Sequence, residues 1–142
     1  GAIPVHPEML ATSKANDPTA FDYMTVWGHS AGARIGRNAT PGIWMTGAAS
    51  ALLARNRPGA LHADLAACAA WTTGAAAAAK VTCSTLVLAG ADDIMIPAKK
   101  SMEFAKLIAN ATSVTLPRAG HMLMQEAPDA TLDALIAHFG RT

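Results

Sequence analysis

Hydrophobic and polar positions divide the chain near residue 80 into two parts with different patterns. Before that point, stretches with apolar residues three or four positions apart alternate with Gly and Pro, which predicts helices separated by turns. After it, two short apolar runs are each followed by an amphipathic stretch, in the order strand, helix, strand, helix. The sequence therefore predicts an α/β protein with a helical first part (residues 7–80) and an αβ second part (residues 81–142).

Five helices are predicted in the first part. They cover residues 7–15, 18–27, 43–55, 61–71 and 75–79. The second follows Asp17-Pro18, because Asp is a good N-cap and Pro a good first helical residue. Phe21, Met24 and Trp27 share one face of that helix, and Gly28 is placed to end it.

The second part predicts two parallel strands joined by a helix. Residues 85–89 form a continuous apolar run that ends at Gly90, as in a strand buried on both faces. A helix is expected from Pro97 to about residue 109, a second strand over residues 113–116, and a last helix that ends at Gly140. The apolar face of this last helix holds Leu132, Leu135, Ile136 and Phe139. Two such strands need further strands beside them, so we expect self-association through an exposed sheet edge.

Composition excludes several classes of function. The formal net charge is +1 and the basic residues are scattered, so we expect no nucleic-acid partner. No uncharged stretch approaches the roughly 18 to 20 apolar residues that span a bilayer. Cys68 and Cys83 lack metal-ligand spacing, so we predict no metal and no cofactor; both are expected to be buried, and they favour a reducing compartment such as the cytoplasm.

Two residues with catalytic potential follow the two predicted strands. Asp93 lies in the loop between Gly90 and Pro97, and His121 follows Gly120, which is expected to let the backbone turn sharply. The carboxyl ends of neighbouring parallel strands lie about 4.8 Å apart, so their loops can bring a carboxylate to an imidazole. Such a carboxylate orients the histidine and stabilises its protonated form. The spacing therefore predicts a catalytic acid and base pair.

The surrounding sequence resembles the end of an α/β-hydrolase. The stretch CSTLVLAGADDIMIPAKK is similar to the strand and loop that carry the acid of this family, and VTLPRAGHMLMQEAPDATLDALIAHF is similar to its histidine loop and last helix. In this family the chain order is nucleophile, acid, histidine. The resemblance implies that Asp93, rather than its neighbour Asp92, is the acid and that His121 is the general base in the cleavage of an ester or related acyl bond.

Gly28-His29-Ser30-Ala31-Gly32 matches the GxSxG pattern of a nucleophile elbow, but its context argues against that role. An elbow needs a buried strand before the serine and a substantial helix after it. The residues before Ser30 have a helical pattern, and too few precede them for the earlier βα units of such a fold. We therefore predict that the nucleophile, serine or aspartate, comes from missing upstream sequence, and that this chain alone is inactive.

The beginning of the chain resembles the segment where this family leaves its sheet for a helical cap. On that resemblance, residues 1–6 end a core strand, residues 7–80 form the cap and residues 81–142 form the C-terminal αβ core. Trp27, Trp44 and Met45 are candidates to line a pocket for an acyl or alkyl group, or to form ordinary helical core. The expected substrate is a small ester-like or hydrophobic molecule.

Two alternatives remain at this stage. The first is a miniature serine hydrolase that uses Ser30 as its nucleophile. The second is a catalytically silent module that binds a partner through its open sheet edge and apolar helical face. The resemblance does not select the bond that is cleaved, because related caps serve esterases, epoxide hydrolases, haloalkane dehalogenases and carbon–carbon bond hydrolases.

Overall fold

The computed structural model describes residues 4–37 and 42–140. Its elements are, in chain order, α1 Pro7–Lys14, α2 Thr19–Gly28, α3 Ala31–Arg34, α4 Met45–Leu53, α5 Ala60–Ala70, α6 Gly74–Ala78, β1 Thr85–Gly90, α7 Ala98–Ala105, β2 Ala111–Leu116, α8 Leu123–Glu126 and α9 Pro128–Phe139. The first three residues of the predicted core strand lie outside the described residues. Residues 4–6 have no regular secondary structure.

The sheet confirms the predicted α/β class. Strands β1 and β2 pair in parallel, with Thr85 opposite Ala111 at one end and Gly90 opposite Leu116 at the other. Helix α7 connects them and packs on both, and α9 also contacts both strands. This strand–helix–strand unit places the ends of β1 and β2, and the loops that follow them, side by side.

The burial of β1 differs from the prediction. Only Ala89 and Gly90 are buried, and the first four residues of the strand are partly exposed, while β2 is exposed along most of its length. The apolar face predicted for the last helix is exposed too, on the four residues Leu132, Leu135, Ile136 and Phe139. A strand is buried on both faces only when helices cover both, and within the described ranges α7 and α9 do not cover the whole of this sheet.

The helical part packs around small and flexible side chains. Helix α1 contacts α2 and α5, and α4 contacts α2 and α3. Met9, Ala20, Ala33 and Met45 are buried between them. The start of α2 is capped by Asp17, whose Oδ1 accepts the N–H of Thr19 at 2.9 Å. This backbone hydrogen bond holds the pKa of the Asp17 carboxyl below its usual value.

The five helices predicted within residues 7–80 and the two strands and two helices predicted after them are present, but some local predictions were wrong. The one-turn helices α3 and α8 were missed, because four residues are too few to show a helical period. Helix α7 ends at Ala105, four residues before its predicted end. Cys83 is exposed in the segment before β1 and Cys68 is partly exposed on α5, so neither cysteine is buried as expected. In the described ranges, no helix has the length and apolar character needed to cross a membrane.

Candidate active site

The loop after β1 fixes Asp93. Its Oδ1 accepts two backbone N–H groups, from Met95 at 2.8 Å and from Ile96 at 2.9 Å. Hydrogen bonds to an ionised carboxylate are stronger than neutral ones, so they hold the side chain in one orientation. The neighbouring Asp92 is exposed and joins the loop through its backbone, donating its N–H to Ala119 O. Asp93, and not Asp92, therefore presents a buried carboxylate.

The other oxygen of Asp93 contacts the histidine. Asp93 Oδ2 and His121 Nδ1 lie 2.9 Å apart, with side-chain exposures of 7% for Asp93 and 39% for His121. The imidazole donates its Nδ1–H to the carboxylate, and this bond fixes the tautomer in which Nε2 carries the free lone pair. In this arrangement Nε2 is free to accept a proton, and the buried Asp93 carboxylate sets the orientation of the ring.

The histidine loop turns at Arg118 and not at Gly120. Arg118 has a φ of 57°, whereas Gly120 is not in the left-handed region. The glycine is required by close packing: a Cβ there would lie 2.5 Å from Ser30 N and 2.8 Å from Glu126 Oε1. The predicted reason for this glycine was therefore wrong. It admits a neighbouring segment against the backbone just before His121.

Ser30 is a helix cap in this structure. The residue is buried, with 3% of its surface exposed, and its Oγ accepts the N–H of Ala33 at 3.2 Å, at the start of α3. The element before it is helix α2, not a strand. Among the hydrogen bonds of the described residues, none joins the Ser30 hydroxyl to His121. This geometry lacks the strand–turn–helix of a nucleophile elbow.

The GxSxG segment instead binds the histidine loop. Gly28 O accepts the N–H groups of both His121 and Met122, each at 3.2 Å. Ser30 N donates to Glu126 Oε2 at 3.0 Å. We call these two segments, residues 28–30 and residues 121–126, the clasp.

His29 completes the clasp from a buried position. Its Nδ1 lies 2.8 Å from Thr25 O, and its Nε2 lies 3.2 Å from Gln125 Oε1. Both ring nitrogens are therefore engaged, which argues against a role for His29 as a base. Sequence reasoning missed Gln125 and Glu126; the only signal was two polar residues within an otherwise apolar stretch after His121.

A largely apolar cavity of about 640 Å³ opens beside His121. Its wall includes Met24 and Trp27 of α2, Leu61 and Leu65 of α5, and Met95 of the Asp93 loop. Of the three residues predicted to line a pocket, Trp27 lines this cavity. Trp44 and Met45 do not, because Trp44 is exposed and Met45 is buried in the core between helices. A cavity of this size is typical of sites for small organic molecules.

In the parts of the chain that the structure describes, no group of three or more His, Cys, Asp or Glu side chains is arranged to hold a metal ion. Asp93 and His121 are instead paired with each other.

Solved structures with this fold include several esterases. A thermophilic esterase is 26% identical, with a TM-score of 0.76, over 99% of this chain and 52% of its own. A hydrolase from Pseudomonas aeruginosa PA01 is also 26% identical, with a TM-score of 0.74, over 98% of this chain and 52% of its own. An esterase from Thermogutta terrifontis, at 19% identity and a TM-score of 0.80, matches 99% of this chain and 53% of its own.

The chain thus spans about half the length of the solved structures it matches. No curated protein matches it in sequence. The sequence profile of the TAP-like proteins matches residues 57–142, which include β1, β2 and both residues of the Asp93–His121 pair. This chain belongs to the TAP-like proteins of the α/β-hydrolase family.

Proposed function

We propose that this chain supplies the acid and the histidine of an ester hydrolase whose nucleophile lies in upstream sequence. The observation that carries the proposal is the 2.9 Å contact between Asp93 Oδ2 and His121 Nδ1, made by loops at the ends of adjacent parallel strands. The apolar cavity beside His121 and the similarity to a thermophilic esterase support it. Open α/β sheets bind their ligands at this edge.

In this mechanism His121 Nε2 removes the proton of a serine hydroxyl while the serine oxygen attacks the ester carbonyl carbon. The resulting imidazolium is stabilised by the Asp93 carboxylate on Nδ1, and it then protonates the leaving alkoxide as the carbonyl re-forms. Water, activated by the same histidine, releases the acid from the acyl-enzyme. An upstream aspartate would instead attack a saturated carbon, displacing a halide or opening an epoxide C–O bond to form an alkyl ester of its own carboxylate, so the reaction class would change.

We further propose that residues 7–80 act as a cap over this site. Helices α1, α2 and α5 provide much of the cavity wall, while the Asp93 loop and His121 provide the side that faces the sheet. The apolar lining favours small esters with a hydrocarbon acyl or alkyl group. The partly exposed β1 and the exposed apolar face of α9 fit a domain in which further strands and helices cover them.

Ester hydrolysis by the protein from its complete reading frame tests the proposal. We expect turnover of p-nitrophenyl butyrate, and a fall in kcat of roughly 10⁴-fold or more in His121→Ala. Asp133→Asn, on the exposed surface of α9, is the matched control. A His121→Ala enzyme that keeps full activity, or a protein that hydrolyses no ester and no related acyl bond, would overturn the proposal.

Labelling with a fluorophosphonate identifies the nucleophile. We expect the probe on a serine upstream of this chain, located by peptide mass spectrometry. A label on Ser30 would instead support the miniature hydrolase, for which the buried hydroxyl and its bond to Ala33 are unfavourable. Complete absence of a label, together with activity that depends on His121, would point to an aspartate nucleophile.

A further inference from the structure

Glu126 is a buried carboxylate outside the Asp93–His121 pair. It ends α8 with 9% of its surface exposed. Its Oε2 accepts one hydrogen bond, from Ser30 N at 3.0 Å, and its Oε1 has no hydrogen-bond partner among the described residues. A buried carboxylate with so few partners is costly to the fold. A native structure that keeps such a group usually gains something from it, such as the positioning of a neighbouring segment.

The carboxylate lies against the backbone that carries the histidine. A Cβ at Gly120 would meet Glu126 Oε1 at 2.8 Å, so this oxygen is packed directly over the residue before His121. Ser30 N, which Glu126 binds, lies over the same glycine. Glu126 therefore connects the end of the GxSxG segment to the histidine loop at the point where the two backbones are in contact.

The same segment fixes the amide of His121. Gly28 O accepts the N–H groups of His121 and Met122, two residues along the chain from the Ser30 N–H that Glu126 holds. Without an acceptor at residue 126, the buried Ser30 N–H would lose its partner, and residues 28–30 would have to move to solvate it. The carbonyl of Gly28 would move with them, and so would the backbone of His121.

We propose that Glu126 is a positioning residue for His121, acting through the clasp and without touching the substrate. The inference rests on the proposed function of His121 as a base. In this proposal the GxSxG segment supports His121 and does not supply the nucleophile, a role that the GxSxG pattern itself does not suggest. Glu126 is not among the residues that line the cavity, so its effect falls on the chemistry and not on substrate binding.

Two variants of the complete enzyme, Glu126→Ala and Glu126→Gln, test this, with Asp133→Asn as the exposed-carboxylate control. In Glu126→Ala we expect kcat to fall by about tenfold to a hundredfold with KM changed less than about threefold, because a small displacement of a catalytic group costs that much. In Glu126→Gln, which keeps an oxygen that can accept the Ser30 N–H, we expect kcat within about threefold of the wild type. Circular dichroism confirms that each variant is folded at the assay temperature.

Nuclear magnetic resonance of the complete enzyme provides a readout that does not depend on turnover. We expect the proton that His121 Nδ1 shares with Asp93 to give a resolved downfield signal in the wild type and in Glu126→Gln, and to broaden or disappear in Glu126→Ala. A Glu126→Ala protein with wild-type kcat and an unchanged signal would refute the positioning role. Loss of turnover in His121→Ala but not in Glu126→Ala would refute the positioning role of Glu126 and would still support the proposed function of His121.

A measurement on the wild type covers the case in which Glu126→Ala does not fold. Amide hydrogen exchange follows the Ser30 and His121 N–H groups, which the clasp holds together. We expect similar protection for both, because opening of the Glu126 contact should release both. Rapid exchange at Ser30 with full protection at His121 would show that the two are not linked, and would overturn the proposal.

Discussion

Adding one methyl group at Gly120 tests the packing behind the histidine loop. In Gly120→Ala the new Cβ would lie 2.5 Å from Ser30 N, 2.8 Å from Glu126 Oε1 and 2.9 Å from the carbonyl carbon of His29. Two of these three atoms belong to backbone, and the third belongs to a buried side chain. The two backbone atoms cannot yield without moving residues 28–30 away from the histidine loop, and the Glu126 carboxylate cannot yield without straining its hydrogen bond to Ser30 N.

The expected cost follows from those contacts. Overpacking a well-packed site destabilises a protein by about 1–3 kcal/mol, and three close contacts, two of them with backbone, place this site near 3 kcal/mol. Replacing Gly by Ala also restricts the unfolded chain, which offsets about 0.4–1 kcal/mol. The net loss is about 2–2.5 kcal/mol, which for a chain of this size lowers Tm by roughly 4–10 °C.

Thermal and urea unfolding followed by circular dichroism measures this loss, with Gly32→Ala as the matched control. At Gly32 the nearest atoms to a new Cβ lie at 3.7 Å, an ordinary contact, and the residue is in α3. We expect that variant to be unchanged or more stable by up to about 1 kcal/mol. Equal midpoints for the two variants would refute the packing argument.

Three further predictions concern the Asp93–His121 pair, the apolar cavity beside His121 and the cap of helix α2. Asp93→Asn should lower kcat by about 10⁴-fold, because it disturbs the tautomer of His121; a wild-type kcat would remove Asp93 from the mechanism. Leu65→Trp should fill part of the cavity and shift the ratio of kcat/KM for acetate over octanoate esters by roughly tenfold, and an unchanged ratio would show that acyl chains bind elsewhere. The ionised Asp17 stabilises the fold, because its folded pKa lies below the reference value of 3.8; this contribution is complete above that pH and is lost as pH falls through the folded pKa. Asp17→Asn should therefore have a lower Tm than the wild type at pH 6, and this difference in Tm should shrink as pH falls through the folded pKa of Asp17; a difference that stays constant would contradict this.

The strands and the two catalytic candidates could be predicted because their signals are local. A continuous apolar run followed by Gly90 marks the end of β1, and polar residues at the ends of two parallel strands fall at one edge of a sheet. The helix limits in the first part followed from Gly and Pro. The pairing of Asp93 with His121 then needed only the topology, and the 2.9 Å contact agrees with it.

The contacts of the clasp could not be predicted in this way. Ser30 and Glu126 are 96 positions apart, as are His29 and Gln125, so no local period connects them. Burial of β1 was predicted wrongly for a related reason: the apolar run shows that a strand tends to be covered, but not which part of the chain covers it. The GxSxG pattern is misleading in the opposite way. It matches a nucleophile elbow locally, but the element before it is helix α2 and not the strand that an elbow needs.

Helix α2 serves both the cavity and the histidine, which limits how substrate range can be altered by mutation. Met24 and Trp27 line the cavity, and one position later Gly28 O holds the amide of His121. A substitution in α2 that enlarges the cavity and shifts the helix would also move His121. Helix α5, which packs on α1, offers Leu61 and Leu65 as alternative sites. Libraries aimed at new substrates should therefore vary α5 first and leave α2 unchanged.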